Sequence, residues 1–459
     1  MIDLSALRKD FGDRPVAVMG LGKSGLVSAE ALVRAGIETW AWDDAAERRE
    51  AAQALGARII DLTQADFSNL AALVLSPGIP HTHPKPHPAA ARAKAAAVPI
   101  IGDVELLLRA DPKARIVAIT GTNGKSTTTA LIAHIVERAG LRYEVGGNLG
   151  FPVLDFDALG ESGVYVLEMS SYQLELTPSL APDIGVLINI SPDHLDRHGG
   201  MDGYAAAKAL MFRNAKPGAT AVIGVDDEWS AKIAEQTVAR GAHAVRRIST
   251  RKKSDLHFTD GALCDAQGPL FAMTDAPALL GGHNAQNAAM AYAASRALGI
   301  AEEIIRDGLR TFPGLAHRQE LVRTIRGVRY VNDSKATNAD ATAMALACFD
   351  TVYWIAGGRA KDTGLEGLQR FMPRIRKAYL IGEAALTFAA WLERRAPNLV
   401  VETMERAVAA AHADAQRDKA KGAVVLLSPA CASFDQFRDF EQRGERFADL
   451  VRALPAEAA

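Results

Sequence analysis

The chain has 459 residues, 49% of them hydrophobic, so it exceeds one ordinary domain and can bury several cores. Its 52 basic and 54 acidic residues leave a formal charge of -2, which points away from nucleic acid and anionic membranes as main partners. Three cysteines, Cys264, Cys348 and Cys431, are too scattered for a disulfide framework or a zinc motif, and no apolar run approaches the roughly 20 residues of a bilayer span. The opening Met-Ile-Asp-Leu-Ser lacks the basic-then-apolar pattern of a signal peptide, so a cytoplasmic protein without membrane insertion is expected.

Short apolar runs alternate with helical patterns along the chain, which predicts an α/β protein with parallel sheets. Val16–Met19 enters Gly20-Leu-Gly-Lys-Ser-Gly25, a second run ends at Asp43, and a third, 71–75, ends in Ser76-Pro77-Gly78. The proline-rich stretch 81–88 holds three histidines; its prolines exclude a helix interior or central strand and predict an exposed loop. A new unit opens near Asp111-Pro112, where the run 115–119 leads into Gly121-Thr-Asn-Gly-Lys-Ser126 and a long helix. Further strands are expected at 164–167, 184–190 and 220–225, and helices at 284–298 and 301–309; the stretch 250–276 gives few signals. Phe312-Pro313-Gly314 reads as a linker, after which 328–331, 352–356, 378–381 and Val424–Leu427 repeat the strand–helix alternation. Three α/β domains, 1–105, 106–314 and 315–459, are the expected division.

The strongest local signal is the loop Gly121, Thr122, Asn123, Gly124, Lys125, Ser126 and Thr127. A buried strand, a glycine turn and a helix start aim backbone N–H groups at phosphate oxygens; Lys125 adds charge, and Ser126 can hold Mg²⁺. Ile119 stands where the common pattern has its first glycine, yet the mechanics survive. The opening turn, with Gly22, Lys23 and Ser24 and an acid at Asp43, matches a dinucleotide fingerprint; alone it seats phosphates without saying whose, NAD or a UDP-sugar. A second nucleotide loop a hundred residues later is of no use to a dehydrogenase.

Other candidates sit at strand exits, where ligands of open α/β sheets gather. Glu168 ends a buried run beside the phosphate loop and suits Mg²⁺ as well as solvent. Asp193, His194, Asp196, Arg197 and His198 crowd one exit. Lys208, in a helical stretch, has the local look of a solvated surface lysine. Asn284 and Asn287 face neighbouring helical turns, and His317-Arg318, 331–338, Gly357-Gly-Arg-Ala-Lys361 and 427–437 are further polar exits. Cys431 has no local base to activate it and reads as a packed small residue.

Together these segments resemble the Mur ligases. The ordered set is Gly20-Leu-Gly-Lys-Ser-Gly25, Ser76-Pro-Gly-Ile79, the phosphate loop, Gly146-Gly-Asn-Leu-Gly150, Leu167-Glu-Met-Ser-Ser-Tyr-Gln173, Asp193-His-Leu-Asp-Arg197, Gly281-Gly-His-Asn284, His317-Arg318, Asn332-Asp-Ser-Lys-Ala-Thr-Asn338 and Leu427-Ser-Pro-Ala-Cys-Ala-Ser-Phe-Asp-Gln-Phe437. The last two and the opening turn are similar to the branch that adds D-glutamate; Met169 and the His198-Gly-Gly stretch depart from the pattern. The resemblance implies a Rossmann-like UDP-binding domain, a P-loop ATPase-like central domain and a Rossmann-like C-terminal domain. It implies ATP-driven joining of D-glutamate to UDP-N-acetylmuramoyl-L-alanine through an acyl phosphate, a cytoplasmic step of peptidoglycan synthesis.

By position, Lys125, His194 and Lys208 are then expected to be catalytic. Ser126, Glu168 and His194 would hold Mg²⁺ at two sites (Mn²⁺ as a substitute), joined by a carbamylated Lys208. Asn284, His317, Arg318 and Asp333 would join the phosphate loop around ATP. The opening turn, Asp43, Ser76, Gly78, Asn148 and Ser170 would meet the UDP substrate. Lys335, Thr337, Lys361, Ser433, Phe434 and Phe440 would form the glutamate pocket. A monomer is expected.

Overall fold

The computed structural model describes residues 1–279, 281–360 and 364–455. These form two compact units, one of Met1–Asp275 with Asn284–Thr311 and one of Ala276–His283 with Phe312–Ala459. The architecture is α/β with three largely parallel sheets.

In the first unit β1 (Val16–Met19), β2 (Thr39–Trp42), β3 (Arg58–Ile59), β4 (Ala72–Leu75) and β5 (Ile100–Ile101) make an all-parallel sheet in the order β3-β2-β1-β4-β5. A nine-stranded sheet follows, built from β6 (Arg115–Thr120), β7 (Arg142–Gly147), β8 (Gly163–Glu168), β9 (Ile184–Leu187), β10 (Thr220–Gly224), β11 (Ala244–Ser249), β12 (Leu256–Thr259), β13 (Ala262–Asp265) and β14 (Gly268–Ala272). Its order is β14-β13-β12-β11-β10-β9-β6-β8-β7, with only β12–β13 and β13–β14 antiparallel. In the second unit β15 (Glu320–Ile325), β16 (Val328–Asn332), β17 (Val352–Gly357), β18 (Ile375–Ile381), β19 (Asn398–Glu402) and β20 (Val424–Leu427) run in the order β15-β16-β20-β17-β18-β19; β15 alone is antiparallel.

Central strands such as β1, β4, β8, β17 and β20 are buried at every residue, because helices cover both faces of a parallel sheet. Continuous apolar runs therefore mark them. Less buried strands carry weaker marks: β7 is mostly half-exposed, and β12 to β14 occupy the quiet stretch 250–276. The expected strand 184–190 stops at Leu187, since Asn189 and Ile190 turn away to meet the phosphate loop and Asp227. In the proline-rich stretch a helix starts at Pro88, its N-terminus capped by His87 Nδ1, which accepts from Ala89 N at 3.2 Å. His81 is only partly exposed and faces Glu175 at 3.9 Å.

Strand order brings particular exits together. β1 and β4 are neighbours, so the glycine turn after one meets Ser76 after the other, whose Oγ donates to Gly20 O at 2.8 Å. Gly25, in the first turn of the helix Lys23–Arg34, packs so closely that a Cβ there would strike Gly20 O. Gly25→Ala is expected to lower stability by about 1–3 kcal/mol through overpacking. Urea unfolding measures it, and an unchanged midpoint would show that the turn can yield.

Candidate active site

β8, β6 and β9 are adjacent, so three exits converge around the phosphate loop. Gly124 adopts φ 85° as it starts the helix Lys125–Arg138, and a Cβ on it would strike Asn287 Oδ1. Asn189, past β9, braces the loop: its carbonyl accepts from Thr122 N and its Oδ1 from Asn123 N, both at 2.9 Å. Lys125 curls back, donating from Nζ to Gly121 O and Thr122 O at 2.9 Å each. The N–H groups of the first helical turn have no helical acceptor, the physical basis of phosphate binding there. Ser126 is buried in that turn.

Glu168 ends β8 and is 1% exposed; Oε1 accepts from Asn148 Nδ2 at 2.6 Å, while buried Oε2 has no hydrogen-bond partner. An orphaned carboxylate oxygen beside a phosphate loop fits a divalent cation shared with nucleotide phosphates. Among the described residues no group of three or more His, Cys, Asp or Glu side chains could hold a metal ion.

Lys208 is not the solvated lysine that its local sequence suggests. It is 1% exposed, donates from Nζ to Gly121 O at 2.9 Å and Thr120 Oγ1 at 3.3 Å, and lies 4.7 Å from the centre of the Tyr204 ring. Burial, reinforced by the Lys125 charge, pushes its amine well below the usual lysine range. Tyr204 OH lies 3.2 Å from Thr122 Oγ1, so the helix Met201–Ala209 reaches the loop through two side chains. His194 has a left-handed backbone (φ 52°), and its ring centroid is 5.3 Å from that of Tyr172. Burial lowers its pKa, Lys125 and Lys208 add to the effect, and Asp193, 3.4 Å from Nε2, opposes it.

At the first sheet Asp43 is buried and ties the glycine turn to the exit of β2, accepting from Leu21 N at 2.7 Å and Ala45 N at 2.9 Å. Burial pushes its carboxyl up, but these donors and Arg48 outweigh that and hold it below the usual carboxylate range. Gly22 caps the following helix, and Lys23 and Ser24 occupy its first turn. Arg197 donates from Nη1 to Gly78 O at 2.8 Å, tying the exit of β4 to the His194 loop. Ser170 is the cap of a capping box with Gln173. Phe151, 69% exposed, was not a sequence candidate; Lys23 Nζ lies 5.8 Å from its ring centre.

In the second unit β16, β20 and β17 are adjacent and their exits converge. Asp333 is buried, accepting from Ser428 Oγ at 2.8 Å and Gln319 N at 3.2 Å; burial raises its carboxyl to about 7. Lys335 Nζ sits 3.7 Å from the centre of the Phe440 ring. Arg443, also unforeseen, donates to Ser334 Oγ at 3.0 Å and Ser334 O at 2.8 Å, clamping the 332–337 loop. Ser433 is buried and Phe434 is 64% exposed; Thr337 N donates to Lys335 O at 2.8 Å. Burial lifts the Cys431 thiol to about 12, which fits a packing role. Lys361 lies outside the described residues. Asn284 belongs to the first unit, whereas His317, Arg318 and Asp333 belong to the second.

Residues 119–295 match the Mur ligase middle domain, and residues 317–431 match the glutamate ligase domain of the Mur ligases. The chain is 52% identical to UDP-N-acetylmuramoylalanine–D-glutamate ligase of Caulobacter vibrioides, with 98% of each chain covered. It belongs to the Mur ligase family. A relative of the same name from Phenylobacterium zucineum is 51% identical, with 97% of each chain covered. The fold of this Mur ligase is shared with UDP-N-acetylmuramate–alanine ligase of Thermotoga maritima, at a TM-score of 0.58 and 16% identity over 96% of this chain and 99% of that one. Among the described residues no helix is long and apolar enough to cross a membrane.

Asp333 offers a test of this ligase's buried charge. Its folded pKa near 7 stands above the reference value of 3.8, so its stabilising contribution is fully present below pH 3.8 and lost as pH rises through 7. About three units correspond to at most roughly 4 kcal/mol. Asp333→Asn is expected to flatten the pH dependence of unfolding across that window, measured by urea titration at a series of pH values. Equal slopes in the two proteins would mean the carboxylate is already ionised in the fold.

Proposed function

We propose that this Mur ligase joins D-glutamate to UDP-N-acetylmuramoyl-L-alanine at the expense of ATP, releasing ADP and phosphate. The observation that carries this reading is the convergence of a phosphate loop, an orphaned carboxylate oxygen and a buried lysine on one sheet. It occurs in a chain about half identical, end to end, to relatives of that name.

A carboxylate is a poor acyl donor because its charge resists attack. The γ-phosphoryl group of ATP passes to the alanyl carboxylate and leaves ADP. The amine of D-glutamate then attacks the acyl phosphate, and the tetrahedral intermediate collapses to an amide and phosphate. In this reading the phosphate loop with Lys125 and Thr127 holds the ATP phosphates, and Asn284, His317, Arg318 and Asp333 serve the rest of the nucleotide. Ser126, Glu168, His194 and Lys208 would hold Mg²⁺ at two sites, with Mn²⁺ as a substitute. The metal would neutralise phosphate charge as it moves between oxygens. The turn at Gly22, Lys23 and Ser24, with Asp43, Ser76 and Gly78, takes the UDP portion, and Asn148 and Ser170 the muramoyl-alanine end. Lys335, Thr337, Lys361, Ser433, Phe434 and Phe440 take glutamate, a cation-and-hydroxyl set suited to carboxylates. Residues 1–105, 106–314 and 315–459 act as the UDP-substrate, ATP and amino-acid domains of a cytoplasmic monomer.

Lys208 works in this scheme as a carbamate. Its neutral amine adds to CO₂ and releases a proton, which leaves an anion able to face a metal. Lys208→Ala is expected to lose at least about 100-fold in kcat (~2.7 kcal/mol), with no recovery in Lys208→Arg and partial rescue of the alanine variant by short carboxylates. A near-normal alanine variant would remove this role.

For the overall reaction, phosphate release from ATP with UDP-N-acetylmuramoyl-L-alanine should be stimulated by D-glutamate and close analogues alone among D- and L-amino acids. Equal stimulation by L-lysine or L-alanine would remove the specific assignment while leaving the family.

A further inference from the structure

The segment before β15 holds His317 with unusual firmness. His317 and Gln319 both have left-handed backbones, φ 62° and 48°, which residues with side chains rarely adopt. His317 N donates to Glu320 Oε2 at 2.9 Å, and its carbonyl accepts from Lys335 N at 3.0 Å. Its ring meets the Phe440 ring edge-on, 6.2 Å between centroids. On one flank Asn332 Nδ2 lies 3.0 Å from His317 Nδ1.

That last contact joins two nitrogens, so one must donate and the other accept. The surroundings of Asn332, which is fully buried, decide which. Its Nδ2 is also 3.2 Å from Glu320 Oε2 and 3.1 Å from Gly444 O, while its Oδ1 accepts from Ser334 N at 3.2 Å. Exchanging the amide oxygen and nitrogen would set oxygen against a carboxylate and a carbonyl, and N–H against N–H. The orientation is therefore fixed, and an amide nitrogen has no lone pair to offer. His317 Nδ1 is left as the acceptor, and the ring proton belongs on Nε2. Gly444 makes room for this: it lies inside the helix Phe440–Ala453, where glycine is less favourable than alanine. A Cβ there would run into His317 Nδ1.

We propose that Asn332 is a positioning residue that locks His317 in the Nε2–H tautomer, so that this histidine meets the nucleotide as a hydrogen-bond donor. The proposal rests on the ATP-site reading above and adds to it the polarity of the contact. A ring with the opposite tautomer would aim a lone pair at a nucleotide acceptor and repel it; the Nε2–H donor attracts it.

The test uses the full-length protein labelled with ¹⁵N-histidine and long-range proton–nitrogen spectra. His317 is identified among the 11 histidines by the signals missing from His317→Gln. Its Nδ1 is expected to be unprotonated and its Nε2 protonated. Asn332→Asp keeps the size but replaces the donor by an acceptor, so the proton should move to Nδ1. ATP affinity measured by calorimetry should then fall at least about tenfold (~1.4 kcal/mol), with affinity for UDP-N-acetylmuramoyl-L-alanine unchanged. A protonated Nδ1 in the wild-type protein overturns the proposal whether or not the variant folds. So does an aspartate variant with wild-type tautomer or ATP affinity, or one that loses both affinities together. Correct tautomers and nucleotide affinities in a protein that never joins D-glutamate would leave this inference standing and defeat the proposed reaction.

Discussion

Where a parallel sheet ends, the last backbone groups of each strand lose their ladder partners, and buried N–H and C=O groups must find others. In this chain the replacements are largely side chains of the candidate site. Leu21 N goes to Asp43, Asn123 N to Asn189, and Gly121 O to Lys125 and Lys208. Ser76 Oγ and Asn332 Oδ1 serve in the same way past β4 and β16. The residues that finish each sheet are thus the residues that shape its ligand surface. Strand order decides which of them meet: β8-β6-β9 in the first unit and β16-β20-β17 in the second each bring three exits together.

The same exits hold charge that the fold alone leaves unbalanced. Lys208 is buried against carbonyl and hydroxyl oxygens, and Glu168 keeps one buried oxygen unsatisfied. Asp333 is buried and held toward its neutral form. Such groups cost stability in isolation and persist where a ligand or modification completes them. Carbamylation of Lys208 and a divalent cation at Glu168, as proposed, would each relieve one of these imbalances and would couple modification, metal and nucleotide binding through neighbouring atoms.

Much of this was legible in the sequence, for a physical reason. Central parallel strands are buried on both faces, so β1, β6, β8, β17 and β20 stand out in one dimension, and glycines mark the exits of β1, β6 and β17. The strands β7 and β12 to β14, toward the two ends of their sheet, do not, because partial exposure dilutes the apolar pattern. Lys208 shows the harder limit. The helix Met201–Ala209 is rich in alanine, and no periodicity announces that its lysine side points under the phosphate loop; that follows from packing across residues far apart in sequence. Tyr204, Arg443 and the bracing by Asn189 stayed hidden for the same reason, although Asn189 lies at a strand exit where the rule applied to its neighbours would have found it.

Asp43 gives one carboxylate oxygen to Leu21 N, in the very turn that a phosphate-bearing ligand is expected to use, and the other to Ala45 N just past its own strand. Recognition and local folding are therefore written into a single side chain. An inhibitor that engages this turn confronts a surface with little freedom to mutate: a variant that discards the carboxylate to evade the compound also gives up the bond that holds Leu21 in the turn. Resistance is more readily reached from exposed side chains around it, such as Lys23 and Phe151, than from the acid at its centre.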